Sequence, residues 1–401
     1  MKQEFDLIIV GAGAVGSALA CALRNSDLRI AVLDVHEPSR FAAGTELDLR
    51  VFALSPTSQR ILGALGVWET IRTTRASPYT DMRVWDATGS GRIHFDCADV
   101  GEPALGYIVE NRLILHSLWK QLETTKQITA IFPAQPDAVQ FDADAVTLTL
   151  QDGQRLHARL LVAADGAGSA TRKLAGIETI GDFYAQQAIV AHVRTENPHH
   201  DTAWQRFLPT GPIALLPLQD GRVSVVWSLD AARAEEIHAL DDAGFCAAVT
   251  QASEAVLGNV TSTTPRAAFP LQRLHAREYV RSRFALIGDA AHAMHPLAGQ
   301  GVNMGLLDMA TLAEVIMAAQ AGQRDIGDLS ALRRYQRARK GDNLAMIIAL
   351  DSLKRLFSNE IAPLQLLRNT GLRAVDRFTP LKSAFMRRAM GLSGELPQLA
   401  R

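Results

Sequence analysis

The chain has 401 residues, 48% of them hydrophobic and 21% charged, with a formal net charge of −1. That is an ordinary globular composition with apolar content for one large core or two adjoining ones, and its near-neutrality gives no global basic surface for nucleic acid. The three cysteines, Cys21, Cys97 and Cys246, lie far apart and form no CxxC pair, which fits a reducing compartment and argues against a disulfide framework or a thiolate metal site.

Residues 5–10 form a short apolar run ending in glycines, which predicts a buried parallel strand. Residues 14–24 have helical character, and residues 28–33 predict a second buried strand closing at Asp34. Strand, glycine turn, helix, strand and terminal acid make a βαβ unit. The uncharged stretch 7–23 imitates a membrane span, but it contains three glycines and is shorter than the ~20 residues a span needs. No other segment reads as long and apolar enough, so a soluble, cytoplasmic protein is expected.

Residues 80–160 carry short alternating runs (82–86, 145–150, 154–157) separated by turn residues, with one helix near 111–123. Residues 159–164 predict another buried strand, followed by Asp165-Gly166. From about 180 to 275 strands dominate (188–195, 204–208, 213–218, 223–229), interrupted by helical stretches near 231–257. Residues 283–288 predict a strand leading into a Gly-rich turn and a helix over 301–319. From Ser330 onward the chain reads as helices with Arg/Lys faces, broken near Pro363 and Pro380. There residues 331–401 hold 14 Lys and Arg against 5 Asp and Glu.

Gly11-Ala12-Gly13-Ala14-Val15-Gly16 is a GxGxxG directly after a strand and opening a helix. The first glycine permits the tight turn, the second lets backbone approach a pyrophosphate, and the third allows close helix–strand packing. The helix start offers free N–H groups to the anion, and Asp34 is placed to accept hydrogen bonds from a ribose. The motif predicts dinucleotide binding without separating NAD from FAD. Asp165-Gly166-Ala167-Gly168-Ser169 also follows a strand; locally it reads as a strand-ending turn with Ser169 capping a helix.

The third segment is the informative one. A strand ends at Gly288-Asp289, whose acid can hold a second sugar or ribityl hydroxyl, and Gly299-Gln300-Gly301 then opens another helix. On a reduced flavin, negative charge collects at one edge of the ring, where a helix N-terminus contributes about 0.3–1 kcal/mol. Two helix starts, one for each end of a long cofactor, point to FAD over NAD. His292-x-x-His295 lacks a third ligand at metal spacing, so no metal is expected, and Ser169 lacks a nucleophile-elbow context.

Together these elements resemble the flavin-dependent aromatic hydroxylases of the para-hydroxybenzoate hydroxylase type. The run His295-Pro296-Leu297-Ala298-Gly299-Gln300-Gly301-Val302-Asn303-Met304-Gly305 through Asp308 resembles the signature of their ubiquinone-biosynthesis branch. Similarity extends over nearly the whole chain, including Gly66-Val67-Trp68, Val109-Glu110-Asn111, Arg334-Tyr335-Gln336-Arg337 and Ala389-Met390-Gly391-Leu392. The resemblance implies that Gly11, Gly13 and Gly16, with Ala14 and Val15 between them, meet the pyrophosphate, and that Asp34 meets the adenosine ribose. Arg50 would lie near the pyrophosphate and a mobile flavin, Asn111 beside the cofactor's middle, and Asp165 in the strand-ending element. Asp289 would serve the ribityl or pyrophosphate region, and Pro296 with Gly299, Gln300, Gly301, Val302 and Asn303 would line the isoalloxazine. One departure is that Asp34 stands where glutamate is usual, which shortens its reach.

The expected fold is α/β: a Rossmann-like FAD-binding domain assembled from discontinuous segments (1–75, 100–178 and 275–325), an inserted strand-rich α+β substrate domain (76–99 and 179–274), and a C-terminal helical region (326–401). The implied reaction is hydroxylation of the aromatic ring of a polyprenyl phenol by O₂ through a flavin C4a-hydroperoxide. It assigns no catalytic side chain and leaves open whether NAD(P)H or a partner reductase supplies electrons. A polyprenyl tail stays in the bilayer, so contact with the inner membrane surface or with a multi-protein biosynthetic complex is expected of the basic C-terminal region. The alternatives are a hydroxylase or halogenase for a soluble aromatic, a non-catalytic flavoprotein subunit, and a plain NAD dehydrogenase. Trp68, Trp85, Trp119, Trp204 and Trp227 form no WxWxI pattern, which disfavours the halogenase.

Overall fold

The structure, a computed structural model, describes residues 3–39, 41–42, 44–181, 183–294, 299–357 and 362–401. Four short runs, Leu7–Val10, Ile30–Leu33, Leu160–Ala163 and Phe284–Leu286, are apolar throughout and buried at every position. Such runs suit a parallel sheet covered by helices on both faces. They form a six-stranded sheet in the order Val280–Arg281, Phe284–Leu286, Leu160–Ala163, Leu7–Val10, Ile30–Leu33, Ile128–Ile131. All its pairs are parallel except the Val280–Arg281/Phe284–Leu286 hairpin. The chain leaves central strand Leu7–Val10 toward Ile30–Leu33 and later returns on its other side as Leu160–Ala163. That reversal opens a crevice at the strands' carboxyl ends, the usual ligand position in an open α/β sheet.

A second, eight-stranded sheet follows the path Val260–Thr263, Phe183–Thr195, Val223–Asp230, Gly211–Pro217, Thr202–Leu208, Asp81–Asp86, Arg92–Asp96, with Ala267–Gln272 also pairing to Phe183–Thr195. It has its own core, in which Ile189, Val225 and Trp227 meet Phe245 and Val249 of helix Asp242–Ala252. Between the two sheets lies a small antiparallel one, Val51–Leu54, Gly106–Glu110 and Ser77–Tyr79.

Several elements stand where the sequence predicts none, among them strand Val51–Leu54 and helices Pro56–Ala64 and Trp68–Arg75. The start of the first helix has a local cause. Ser55 Oγ accepts from Ser58 N at 3.2 Å and Pro56 sits in the first turn, where its missing N–H is not needed. Pro363 and Pro380 likewise lie in the opening turns of helices Ala362–Arg377 and Thr379–Ala389. A further correction concerns apolar length: helix Gln300–Ala321 is long and apolar enough to cross a membrane by composition, with 61% of that window buried. It packs on helix Ala14–Ala22 and on Leu329–Phe357 and buries Asp308 completely, so it is a core helix of this fold.

The C-terminal helices reach both sheets. Leu329–Phe357 packs beside Gln300–Ala321, whereas Ala362–Arg377 lies against strand Arg92–Asp96. There Arg368 Nε meets Asp86 Oδ2 at 2.6 Å, and neither side chain is exposed to solvent.

Candidate cofactor site

The crevice begins at Gly11, whose φ of +109° and whose closeness to Ala164 both require glycine; a Cβ there would lie 2.3 Å from the Ala164 carbonyl oxygen. At Gly16 a Cβ would meet the Gly11 carbonyl at 2.0 Å, whereas at Gly13 it would meet nothing within 4 Å. Gly13 is therefore the open position of the motif and faces free space at the start of helix Ala14–Ala22. No side chain caps that helix and no acid stands in its first turn, so its first amides remain available to an anion.

Asp34 lies beside this turn, where its Oδ2 accepts from Ala12 N at 2.7 Å and its Oδ1 from His36 N at 3.3 Å. Ala14 is buried, and the Val15 side chain turns the other way. Its methyl carbons lie 3.3 Å from a Cβ built on Gly288 and 2.7 Å from one built on Gly305. Val15 thus seats the first helix against the Gly288 turn and the helix after it, bringing two separated glycine elements into one seam.

Across that seam, Asp289 is largely enclosed, and burial pushes its carboxyl up, opposed by the charges of His292 and Arg50. It accepts no hydrogen bond from any described residue. The Arg50 guanidinium stacks over Phe52 at 5.4 Å and forms no ion pair among the described residues. The Arg50 backbone oxygen accepts from Asn111 N at 2.9 Å, placing Asn111 beside the same strand. Among the described residues the acid has no donor and the neighbouring cation no acid, which fits a ligand bearing hydroxyls and phosphates.

Helix Gln300–Ala321 opens from Gly299 in the left-handed conformation (φ +61°), again uncapped and without an acid in its first turn. Gly301 lies close to Asp289, 3.8 Å from its Oδ1 to a Cβ built there. Val302 packs against the main core. The two amide side chains here point away from the open side. Gln300 Nε2 donates to Ala389 O at 3.2 Å. Asn303 is buried, with Oδ1 accepting from Ser55 N at 2.9 Å and from Ser58 Oγ at 2.7 Å, and Nδ2 donating to Ala53 O at 2.9 Å and to Gly299 O at 3.2 Å. The side chains of Gln300 and Asn303 thus fix the helix start, whose free backbone N–H groups are those of its first turn, before Asn303. Pro296 lies outside the described residues.

Asp165 is engaged internally: Ser169 Oγ donates to Oδ1, and Thr171 N to Oδ2 at 3.0 Å. Ser169 in turn caps helix Ala170–Leu174, accepting from Arg172 N at 2.9 Å. Buried Arg172 donates to Ala290 O at 2.8 Å and to Ala167 O at 2.9 Å, tying this turn to the one carrying Asp289.

Beneath the seam is a buried polar cluster that the sequence reading passes over. His292 Nε2 contacts Asp308 Oδ2, and Arg339 Nε and Asn343 Nδ2 donate to Asp308 Oδ1 at 2.9 and 3.0 Å. Gly288 N also donates to Asp308 at 3.2 Å. Burial alone would raise the Asp308 pKa, but His292 and Arg339 hold it down at about 2. The available signal was the acid inside an otherwise apolar helix, an expensive placement unless it is paired.

In front of Gly299 stands an apolar wall. Ala53, 3.0 Å from a Cβ built on Gly299, clusters with Ile108, Leu218, Val51, Leu216 and Tyr79. Burial pushes the Tyr79 phenol up to about 12.

Two free helix starts, an acid and a cation at one seam, and an apolar wall near the second start fit a long phosphate-bearing cofactor such as FAD. Residues 4–344 match the FAD binding domain family. The chain is 41% identical to the ubiquinone hydroxylase UbiL of Rhodospirillum rubrum over 99% of its own length and 92% of that protein. It is 37% identical to the 3-demethoxyubiquinol 3-hydroxylase of Escherichia coli, over 98% and 100%. Among solved structures, p-nitrophenol 4-monooxygenase PnpA of Pseudomonas putida shares the fold at a TM-score of 0.80, 18% identity and coverage of 98% and 100%. HpxO of Klebsiella pneumoniae, complexed with FAD and uric acid, does so at 0.74, 18% identity and coverage of 96% and 97%. The chain belongs to the FAD-dependent monooxygenases of ubiquinone biosynthesis.

Proposed function

We propose that this enzyme uses O₂ to hydroxylate the aromatic ring of a polyprenyl phenol. FAD, once reduced, supplies the oxygen-activating centre, and the protein supplies binding, orientation and a dry site. The single observation that supports this most is the pairing of two uncapped helix starts, at Gly13 and Gly299, on either side of Asp289. In this reading the amides after Gly13, with Arg50, hold the pyrophosphate, and Asp34 and Asp289 hold sugar and ribityl hydroxyls. The amides after Gly299 hold negative charge at the redox end.

Ala53, Ile108 and Leu218 exclude water on the substrate side and orient an apolar ring, and Tyr79 packs against them. The six-stranded sheet and its helices would be the cofactor domain, and the eight-stranded sheet the substrate domain. NAD(P)H or a partner reductase would reduce the flavin, in the cytoplasm. The test is O₂ consumption by the FAD-loaded protein with a short-tailed phenol and NAD(P)H, alongside identification of the hydroxylated product. Oxygen uptake that ignores the phenol, with no product formed, would leave a flavoprotein without this reaction.

A further inference from the structure

Among the described residues, six large apolar side chains of the C-terminal helices stand open to solvent. On Leu329–Phe357 these are Leu344 (40% exposed), Ile348 (56%) and Leu353 (43%); at the last helix they are Phe378 (59%), Leu381 (41%) and Phe385 (54%). Spacings of three and four residues put Phe378, Leu381 and Phe385 along one face of the last helix, and a spacing of four sets Leu344 beside Ile348, whereas Leu353 lies on another side of its helix. The last helix has its other face buried, where Met386 and Met390 pack with Val100 and Leu105, so the exposed stripe is an additional apolar face. The two helices are joined at the surface by Arg388 and Asp342, 3.1 Å apart and each about half exposed.

The last helix itself carries charge of one sign, with Asp342 and Asp376 as its acidic neighbours. Residues 343–350 carry no charge, and residues 377–394 contain Arg377, Lys382, Arg387 and Arg388 but no Asp or Glu. Lys382 is held by Asp99 at 2.7 Å, while Arg377 is exposed and forms no ion pair among the described residues. A solvated helix face would intersperse charges along its outer side. An apolar crest rimmed by basic residues is instead complementary to a surface that is negative at its face and greasy just beneath.

We propose that Phe378, Leu381 and Phe385 dock this protein on an anionic phospholipid bilayer. The proposal rests on the polyprenyl-phenol reading in one respect. The apolar cluster under the last helix includes Tyr79, which also belongs to the wall around Ala53. A tail leaving the bilayer beneath that helix therefore has apolar contacts toward the cofactor side.

The test is flotation of the full-length, FAD-loaded protein with vesicles of phosphatidylcholine alone or mixed with phosphatidylglycerol. Wild type is expected to float with the anionic vesicles at low salt and to be released by high salt. F378S/L381S/F385S is expected to abolish recovery, and R377Q/R387Q to weaken it about 25-fold, roughly fivefold per charge. Bound flavin and hydroxylation of a tail-less phenol in solution serve as the independent reading. If these fail while vesicle binding persists, the reaction is wrong and the docking surface stands. Absence of wild-type binding, equal recovery on both vesicle types, or unchanged recovery of the serine variant overturns the surface. So does a serine substitution that merely dissociates a wild-type oligomer, since the crest is then a protein interface.

Discussion

Asn303 spends all its side-chain hydrogen bonds on holding strand Val51–Leu54, Ser55 and Ser58 to the start of helix Gln300–Ala321. Asn303→Ala leaves Ser55 N and Ala53 O buried without partners, and each orphaned group costs about 1–3 kcal/mol. Thermal melting is expected to fall by roughly 2–4 kcal/mol with lower flavin occupancy, and a variant that melts like wild type would remove the clasp. His275 gives a pH dependence. Its strand pairs it with His292, and burial, reinforced by His292, lowers its pKa from 6.5 to about 4. The folded state keeps this ring neutral while the unfolded chain takes up a proton below pH 6.5. Stability contributed by the neutral ring is therefore complete above pH 6.5 and is lost progressively toward pH 4, by up to about 3 kcal/mol. Urea midpoints at pH 7 and 4.5 should converge for His275→Leu relative to wild type; an unchanged pH slope would place the acid sensitivity elsewhere.

The buried Arg368–Asp86 pair fastens helix Ala362–Arg377 to the edge of the eight-stranded sheet, helped by Asn369, whose Nδ2 donates to Asp86 Oδ2 at 3.1 Å. Arg368→Met leaves an uncompensated carboxylate in the interior, expected to cost about 3–5 kcal/mol, whereas Arg368→Met with Asp86→Leu should recover much of that. Denaturant titrations of the two variants decide it, and equal losses would mean the charges themselves are not what binds the helix. This pair also marks where the sequence stops being readable. The four all-apolar strands and the GxGxxG turn declare themselves locally, since burial on both faces leaves an unbroken run and the anion turn needs fixed glycines. Strand Val51–Leu54 is buried at only two of its four positions, so it carries no periodic signal. The basic surplus of the tail looked like one solvated or docking face. The fold instead assigns Arg339 to Asp308, Arg368 to Asp86 and Lys382 to Asp99, acids remote in sequence that no local pattern announces.

Across the whole molecule, the proposed cofactor contacts come from residues 11–16, 34, 50, 289 and 299–303, which converge only in the folded state. Binding there should stabilise the entire assembly, by about 2.7 kcal/mol when free FAD is a hundredfold above its dissociation constant. The glycines separate folding from binding within this linkage. Gly11 has a positive φ and no room for a side chain, so Gly11→Ala must strain the turn itself and lower the melting temperature with or without FAD. Gly13 has an ordinary φ of −69° and empty space where a Cβ would go. Gly13→Ala should therefore melt like wild type without FAD, yet lose most of the FAD-induced rise, because its methyl group occupies the space assigned to the pyrophosphate. Melting curves of both variants over an FAD titration test the assignment. A Gly13→Ala protein that gains the wild-type stabilisation would show that the pyrophosphate does not lie over this turn, even if flavin binds elsewhere in the crevice.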